Sequence, residues 1–265
     1  MPRTPALVVE VLHEAASAVS AALDGLDDWS PAGTRPGQHR SDLVADRAAL
    51  SVLDAAGFGV VSEESGCHAL DRSVVVVVDP VDGSTNAWRG LPWWATSLCA
   101  VDRDGPLAAV VANQATGTRF EAVRGGGSRR DGAPVSPSAC GVMSEAIVAL
   151  SGYPRRSFGW NQYRSLGAAA LDLCAVACGQ LDAFVDCSAD ALAPWDYLGA
   201  LLVCAEAGAV VVDAYGRDLV APSLPREAYA GAASGRRAVV GAATAELARA
   251  AVEARLAADE AGKIG

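Results

Sequence analysis

Apolar residues recur at helical spacing over residues 5–24, where Leu7, Val8, Val11, Leu12, Ala15, Val19, Ala22 and Leu23 share one face, so this stretch predicts an amphipathic helix. Residues 25–38 hold Pro31, Gly33, Pro36 and Gly37 and read as a loop. A second helix is expected from 41 to about 55, stopped by Gly57. Residues 74–78 are five consecutive valines, the pattern of a strand covered on both faces. Further strands are expected at 97–101, 108–112 and 118–123, followed by a glycine loop at 125–127 and an Asp131-Gly132 turn, which suggests a meandering antiparallel sheet. After residue 140 the pattern alternates. A strand at 146–150, a helix at 165–178, a strand at 183–186, a helix at 195–207 ended by Gly208, a strand at 209–212 and an alanine-rich helix at 243–258 predict layered α/β structure. Two closely packed subdomains, 1–140 and 141–265, are the expected division.

Composition narrows the chemistry. The chain has 265 residues, 31 acidic and 21 basic side chains, a formal charge of −10 and three histidines. Without a clustered basic tract it is a poor candidate for nucleic acid or anionic membranes, because phosphate contacts need grouped Lys and Arg. Glu10 and Glu14 interrupt the first apolar stretch, which makes it a poor signal peptide, and no uncharged apolar run approaches the roughly 18 residues of a membrane span. The seven cysteines are odd in number and scattered, and Cys174 and Cys178 are spaced by four rather than as a C-x-x-C pair. Buried thiols in a reducing, cytoplasmic compartment are expected.

Three acidic features stand out. Asp79-Pro80-Val81-Asp82-Gly83-Ser84-Thr85-Asn86 follows the valine strand, so two carboxylates three residues apart sit at a strand's carboxyl end, where a proline-stiffened turn lets them converge. Such a pair repels unless it is protonated or bound to a cation. Gly83 allows close backbone approach, and Ser84, Thr85 and Asn86 are helix-starting residues whose N–H groups face an anion. Cation ligands beside an anion-friendly backbone describe a metal–phosphate site. Glu63-Glu64-Ser65 follows another apolar stretch, and Trp195-Asp196 opens a helix; taken singly, these are a solvated face and a residue favoured by the helix dipole.

Taken together, Glu63-Glu64-Ser65, the segment from Asp79 to Asn86, and Trp195-Asp196-Tyr197-Leu198-Gly199-Ala200 running to Glu206-Ala207-Gly208 resemble the inositol monophosphatase family, within the lithium-sensitive, magnesium-dependent sugar phosphatases. The segments 164–173 and 125–132 look like family segments in their usual order. The resemblance implies an α/β (α+β) fold, a layered α-β-α-β-α sandwich. It also implies two to three Mg²⁺ ions per site. Glu63, Asp79 and the Val81 carbonyl would hold one ion, Asp79, Asp82 and Asp196 a second, and a weaker third would sit near Glu63. Glu63, Ser84 and Asp46 would position and deprotonate a water, the backbone of Gly83 and Ser84 would grip the phosphate, and no phosphoenzyme would form. For the alcohol part of the substrate, Asp186 faces a wall of Gly167, Ala168 and Ala169 on this reading, with Asp190 as a rival acid. A homodimer is implied by the same likeness.

The chain departs from the family pattern in places. Asp42-Leu43-Val44-Ala45-Asp46 is two residues shorter than the usual segment and lacks its threonine, so Asp42 rivals Asp46. A customary lysine is missing, with Gln38, His39 and Arg40 nearby, and Ala87 stands where an aromatic is usual, with Trp88, Trp93 and Trp94 soon after. Tyr153, Arg155, Arg156 and Arg164 lie where a second phosphate or a partner subunit would approach. The leading function is hydrolysis of a small phosphate monoester, inositol monophosphate by default, with histidinol phosphate, fructose 1,6-bisphosphate and adenosine 3′,5′-bisphosphate as alternatives. A non-catalytic regulatory protein retaining the fold is the reading from another class. A haloacid-dehalogenase-type phosphatase needs D-x-D spacing, which Asp79 and Asp82 do not have.

Overall fold

The computed structural model describes residues 4–189, 191–219 and 236–261. Helices α1 (Pro5–Asp24) and α2 (Arg40–Ala55) form the first layer. Against them lies a sheet of eight strands in the order β2-β1-β3-β4-β5-β6-β7-β8. These are β1 (Gly59–Ser62), β2 (Gly66–His68), β3 (Val75–Asp82), β4 (Ala95–Asp102), β5 (Gly105–Asn113), β6 (Arg119–Val123), β7 (Gly127–Arg130) and β8 (Ala133–Pro134), with the short helix α3 (Ser84–Arg89) after β3. Only β1 and β3 pair in parallel; the rest is the antiparallel meander expected from the turns.

The second half supplies β9 (Ile147–Ser151), β10 (Gln162–Arg164), α4 (Ala169–Ala177), β11 (Ala183–Asp186), α5 (Pro194–Ala207), β12 (Val210–Asp213), β13 (Val239–Ala242) and α6 (Ala245–Ala261). Its strands form a five-stranded sheet in the order β10-β9-β11-β13-β12. Three apolar clusters cement five layers. One joins α1 and α2 to the first sheet through Val76 and Val78. A second joins the other face of that sheet, through Val75 and Val77, to α4 and α5 and on to Phe184 and Val239 of the second sheet. The third packs the far face of the second sheet, through Val148 and Val185, on α6. The valine run is thus covered on both faces, as its composition implies. The result is the α-β-α-β-α sandwich.

Helix α1 is long and apolar enough to cross a membrane by length and composition. Here Val8, Leu12, Ala15, Ala16 and Val19 are fully buried in the first cluster, so in this fold it is a core helix. Among the cysteines Cys99, Cys174 and Cys204 are buried, whereas Cys67 is exposed, and all seven are free thiols.

The structure differs from expectation at the start of α4 and in two strands. Helix α4 starts at Ala169 rather than 165, because Gly167 takes φ +87°, which ends any regular helix there. The short strands β10 and β13 carried too few alternating residues to be read from the pattern. Leu173 of α4 is fully buried between the sheets and in packing distance of Gly241 on β13. Leu173→Ala should therefore cost about 2–5 kcal/mol in urea unfolding, and a loss below about 1 kcal/mol would count against α4 as part of the central layer.

Candidate active site

Parallel pairing builds the first half of the site. Ser62 of β1 is in register with Val78 of β3, and the Glu63 amide continues the ladder by donating to the Val78 carbonyl at 3.1 Å. Glu63, the first residue past β1, and Asp79, the next residue along β3, consequently emerge side by side. The ladder between β3 and β4 is then irregular from Asp79 to Asp82, where Pro80 lacks a donor. Thr96 satisfies the Pro80 carbonyl through Oγ1 at 2.9 Å, and Asp79 Oδ1 accepts the Val81 amide at 3.0 Å, closing a tight turn.

Helices position the other carboxylates. Asp196 stands in the first turn of α5, where its Oδ2 accepts the Ala193 amide at 2.6 Å and the helix dipole favours its charge. Asp82 caps the opposite helix, its Oδ2 accepting the Ala170 amide at 2.8 Å. Carboxylate oxygens of Glu63, Asp79 and Asp196 come within 4.8 Å of one another. Asp82 lies just outside this tight group, although its charge bears on Asp196.

Burial and mutual repulsion push these acids far from their usual range. Burial, then the charges of Asp196 and Glu64, carry Glu63 up to about 8. Burial carries Asp82 up to about 8 against the Ala170 amide, with Asp172 adding to the rise. Burial and Asp82 carry Asp196 up to about 7, and Asp79 is raised well above the carboxylate range by burial and by Glu63, Asp82 and Asp196. A cluster of hard oxygen donors that resists ionisation in the absence of cations is a donor set suited to Mg²⁺.

The turn after the ligands is shaped for close approach. Gly83 has φ +85°, and a Cβ there would lie 3.1 Å from both Ala168 Cβ and the Gly167 carbonyl oxygen, so a larger residue would displace that wall. Asn86 Nδ2 donates to the Trp93 and Leu166 carbonyls at 2.8 and 2.7 Å, tying α3 to the segment that leads into α4. Gly83 therefore stands against Gly167 and Ala168, whereas the resemblance implies these residues as a wall facing Asp186; Ala169 is buried. Trp93 also donates from Nε1 to Asp172 at 2.9 Å, a link with no local signal in the sequence.

A cleft of about 320 Å³ opens over the cluster, lined by Arg35, Gln38, Asp42, Glu63, Glu64, Val81, Ser84, Trp195 and Arg236. Asp42, rather than Asp46, is in that wall. Helix α2 begins at Arg40, so Asp42 is the residue in its first turn, accepting the His39 amide on Oδ2 at 2.7 Å. Asp46 is one turn further along α2 and accepts the Ser62 hydroxyl. The helical register expected to favour Asp46 belongs to Asp42. Burial, with Glu64 adding to it against the His39 amide, pushes Asp42 up to about 6.

Asp186 is placed elsewhere. It is fully buried, accepts the Ser188 amide on Oδ1, and has its backbone carbonyl held by Arg255 of α6. A side chain with no exposed surface does not present itself to a ligand in the cleft. Asp190 lies outside the described residues. Tyr153, Arg155, Arg156 and Tyr163 line a separate depression with Trp160, away from the carboxylates. Arg35 was not read from the sequence at all. Its guanidinium donates to the Glu63 carbonyl at 3.1 Å and pairs with Glu64 at 2.6 Å, joined there by Gln38 Nε2 on the other Glu64 oxygen. Its only sequence context is a loop of glycine and proline, and its partners are about thirty positions away.

The sequence profile of the inositol monophosphatase family matches residues 38–256. The chain belongs to the inositol monophosphatase family. It is 32% identical over 184 residues to fructose-1,6-bisphosphatase of Pyrococcus furiosus, covering 67% of this chain and 70% of that protein. It is 31% identical over 170 residues to the Nus factor SuhB of Escherichia coli K12, covering 58% of this chain and 62% of that one. A Pyrococcus horikoshii protein described as similar to inositol-1 monophosphatase superposes with a TM-score of 0.77 at 24% identity, covering 94% of this chain and 96% of its own. The Thermotoga maritima IMPase superposes with a TM-score of 0.77 at 21% identity over 98% of both chains. Membership makes the chain a phosphoric monoester hydrolase of a metal-dependent sugar phosphatase family.

The raised carboxylates make cation binding and pH interdependent. In the cation-free protein Glu63, Asp82 and Asp196 keep protons that the unfolded chain has already lost, so this contribution is present below about pH 4 and is lost as pH rises through 7 to 8. A bound divalent cation replaces those protons. Mg²⁺ should therefore raise Tm more at about pH 8 than at about pH 5. Equal shifts at both pH values in a thermal melt would show that these acids do not hold the ion.

Proposed function

We propose that the chain hydrolyses a small polyol or sugar phosphate monoester in a Mg²⁺-dependent reaction, with inositol monophosphate as the default substrate. Fructose 1,6-bisphosphate, histidinol phosphate and adenosine 3′,5′-bisphosphate are the alternatives. The observation that carries this reading is the convergence of Glu63, Asp79 and Asp196 beside the Gly83-Ser84 turn. The units 1–140 and 141–265 are taken as the two halves that meet there. A homodimer belongs to the same reading and is tested by light scattering.

On this reading Glu63, Asp79 and the Val81 carbonyl hold one ion, and Asp79, Asp82 and Asp196 another. Bound Mg²⁺ would supply charge neutralisation of the ester and a lowered pKa for the attacking water. Two ions rather than three are proposed, because Arg35 already brings a fixed positive charge beside Glu63 and Glu64. The chain's own groups do the rest. The backbone N–H groups of Gly83 and Ser84 grip the phosphate, and the Ser84 hydroxyl orients the water. Asp42 accepts the water's proton, in place of Asp46. As the water oxygen bonds to phosphorus, the ester P–O bond breaks and the alcohol oxygen departs to be protonated, so no covalent enzyme intermediate is needed. Asp186 is left out of substrate contact, and Gly167 and Ala168 form the wall opposite Gly83.

Similarity to the Nus factor SuhB favours a second reading, a regulatory partner role on the same fold. Phosphate release from the four substrates with Mg²⁺ tests the first. Activity on at least one is expected, and none on any would favour the regulatory reading. With an active substrate in hand, Asp42→Asn should lower kcat by about 10²-fold or more, and Asp46→Asn by far less. The reverse order would return the water's proton to Asp46.

A further inference from the structure

We propose that His39 is the positioning residue for Asp42: its Nδ1–H faces the Asp42 carboxylate and, with the His39 backbone amide, holds Oδ2 so that Oδ1 is left to the water in the cleft. The inference rests on the role given to Asp42 above.

His39 is buried immediately before α2, and its Nδ1 is buried with no hydrogen-bond partner among the described residues. That nitrogen lies 3.8 Å from Asp42 Oδ2, the same oxygen that accepts the His39 amide at 2.7 Å. A bare imidazole lone pair aimed at a carboxylate is repulsive, so the charge on Asp42 selects the tautomer protonated at Nδ1. The separation exceeds a hydrogen bond, as catalytic contacts often do before the substrate is bound. Asp42 Oδ1 has the weaker protein contact, a 3.3 Å approach from the Ser41 hydroxyl.

The ring itself is clamped. Trp88 packs on it with centroids 5.4 Å apart, and Arg89 covers the Trp88 ring at 4.3 Å. Trp88 belongs to α3, the helix that begins with Ser84. One short helix therefore fixes both the hydroxyl that orients the water and the imidazole behind its proton acceptor. The charges bearing on Asp42 are Glu64, negative, and Arg35, positive, while the charge of Asp42 itself raises Glu63 and Asp79. Burial is the largest influence opposing ionisation of Asp42, and a donor on Oδ2 counters it.

His39→Leu and His39→Asn separate this role from mere packing, since asparagine retains a donor near the position of Nδ1. His39→Leu should lower kcat by about 10- to 100-fold with KM within about twofold, and His39→Asn should recover most of the loss. Removing a donor from an ionised carboxylate raises its pKa, so the acid limb of the kcat/KM profile should move to higher pH in His39→Leu. Equal losses in both variants, or an unmoved acid limb, would overturn the proposal. Nuclear magnetic resonance of the full chain, with and without Mg²⁺, gives an answer that needs no substrate. The neutral His39 ring is expected to carry its proton on Nδ1, and His39→Leu should raise the Asp42 carboxyl titration. A proton on Nε2, or an unchanged Asp42 titration, sinks the pairing even in an active enzyme. If the resonance results are as expected while wild type hydrolyses none of the substrates, the pairing stands and the phosphatase reading is what fails.

Discussion

Carboxylates held within 4.8 Å of one another in a half-buried cleft repel, and much of the surrounding architecture answers that repulsion. Three of the acids at the site accept a backbone amide that partly offsets their charge. Asp79 accepts an amide of its own turn, Asp82 an amide at the start of α4, and Asp196 an amide at the start of α5. Two helix N-termini from the second half of the chain thus point at a strand turn from the first half. These donors are too weak to offset burial, which is why the acids stay raised, and a bound divalent cation would supply the charge that amides cannot.

The layers follow from the same requirement. Placing α4 and α5 between two sheets gives each helix apolar partners on both sides, which the nearly all-apolar α4 needs. It also fixes their N-termini against β3. Loosening that central layer would move Asp82's cap and Asp196 together. Packing and ligand geometry are therefore linked through the helix axes, and a site spread over both halves of the sequence is held by one apolar cluster.

A second set of contacts closes the cleft from the other side. Arg35 and Gln38 share the two oxygens of Glu64, fastening the loop before α2 to the residue next to Glu63. That fastening sets where α2 begins, and with it the depth of Asp42. The packing of His39 on Trp88 joins this loop to α3. The positive charge near the carboxylates is therefore built in at the rim, whereas the centre of the site is left to cations.

The sequence by itself determined the chemistry of the centre. A valine strand running into Asp79-Pro80-Val81-Asp82-Gly83-Ser84 places two acids at a strand end whatever else surrounds them, because strand geometry and proline are local constraints. The layered alternation was legible for the same reason. Only the tertiary structure shows that Asp42 lines the cleft while Asp46 meets Ser62. The two aspartates lie four residues apart on one helical face, so periodicity cannot separate them, and which one faces the cleft depends on where the helix is capped. Asp186 looked like a strand-end acid facing substrate, yet it is buried, with its carboxylate turned onto the neighbouring Ser188 and its backbone carbonyl held by the distant Arg255. Arg35, His39 and Trp88 gain their roles from partners distant in sequence or from the loop's path, and no local pattern records either. Residue types and spacing state what a site can bind. The packing of the layers decides which of the available side chains reach it.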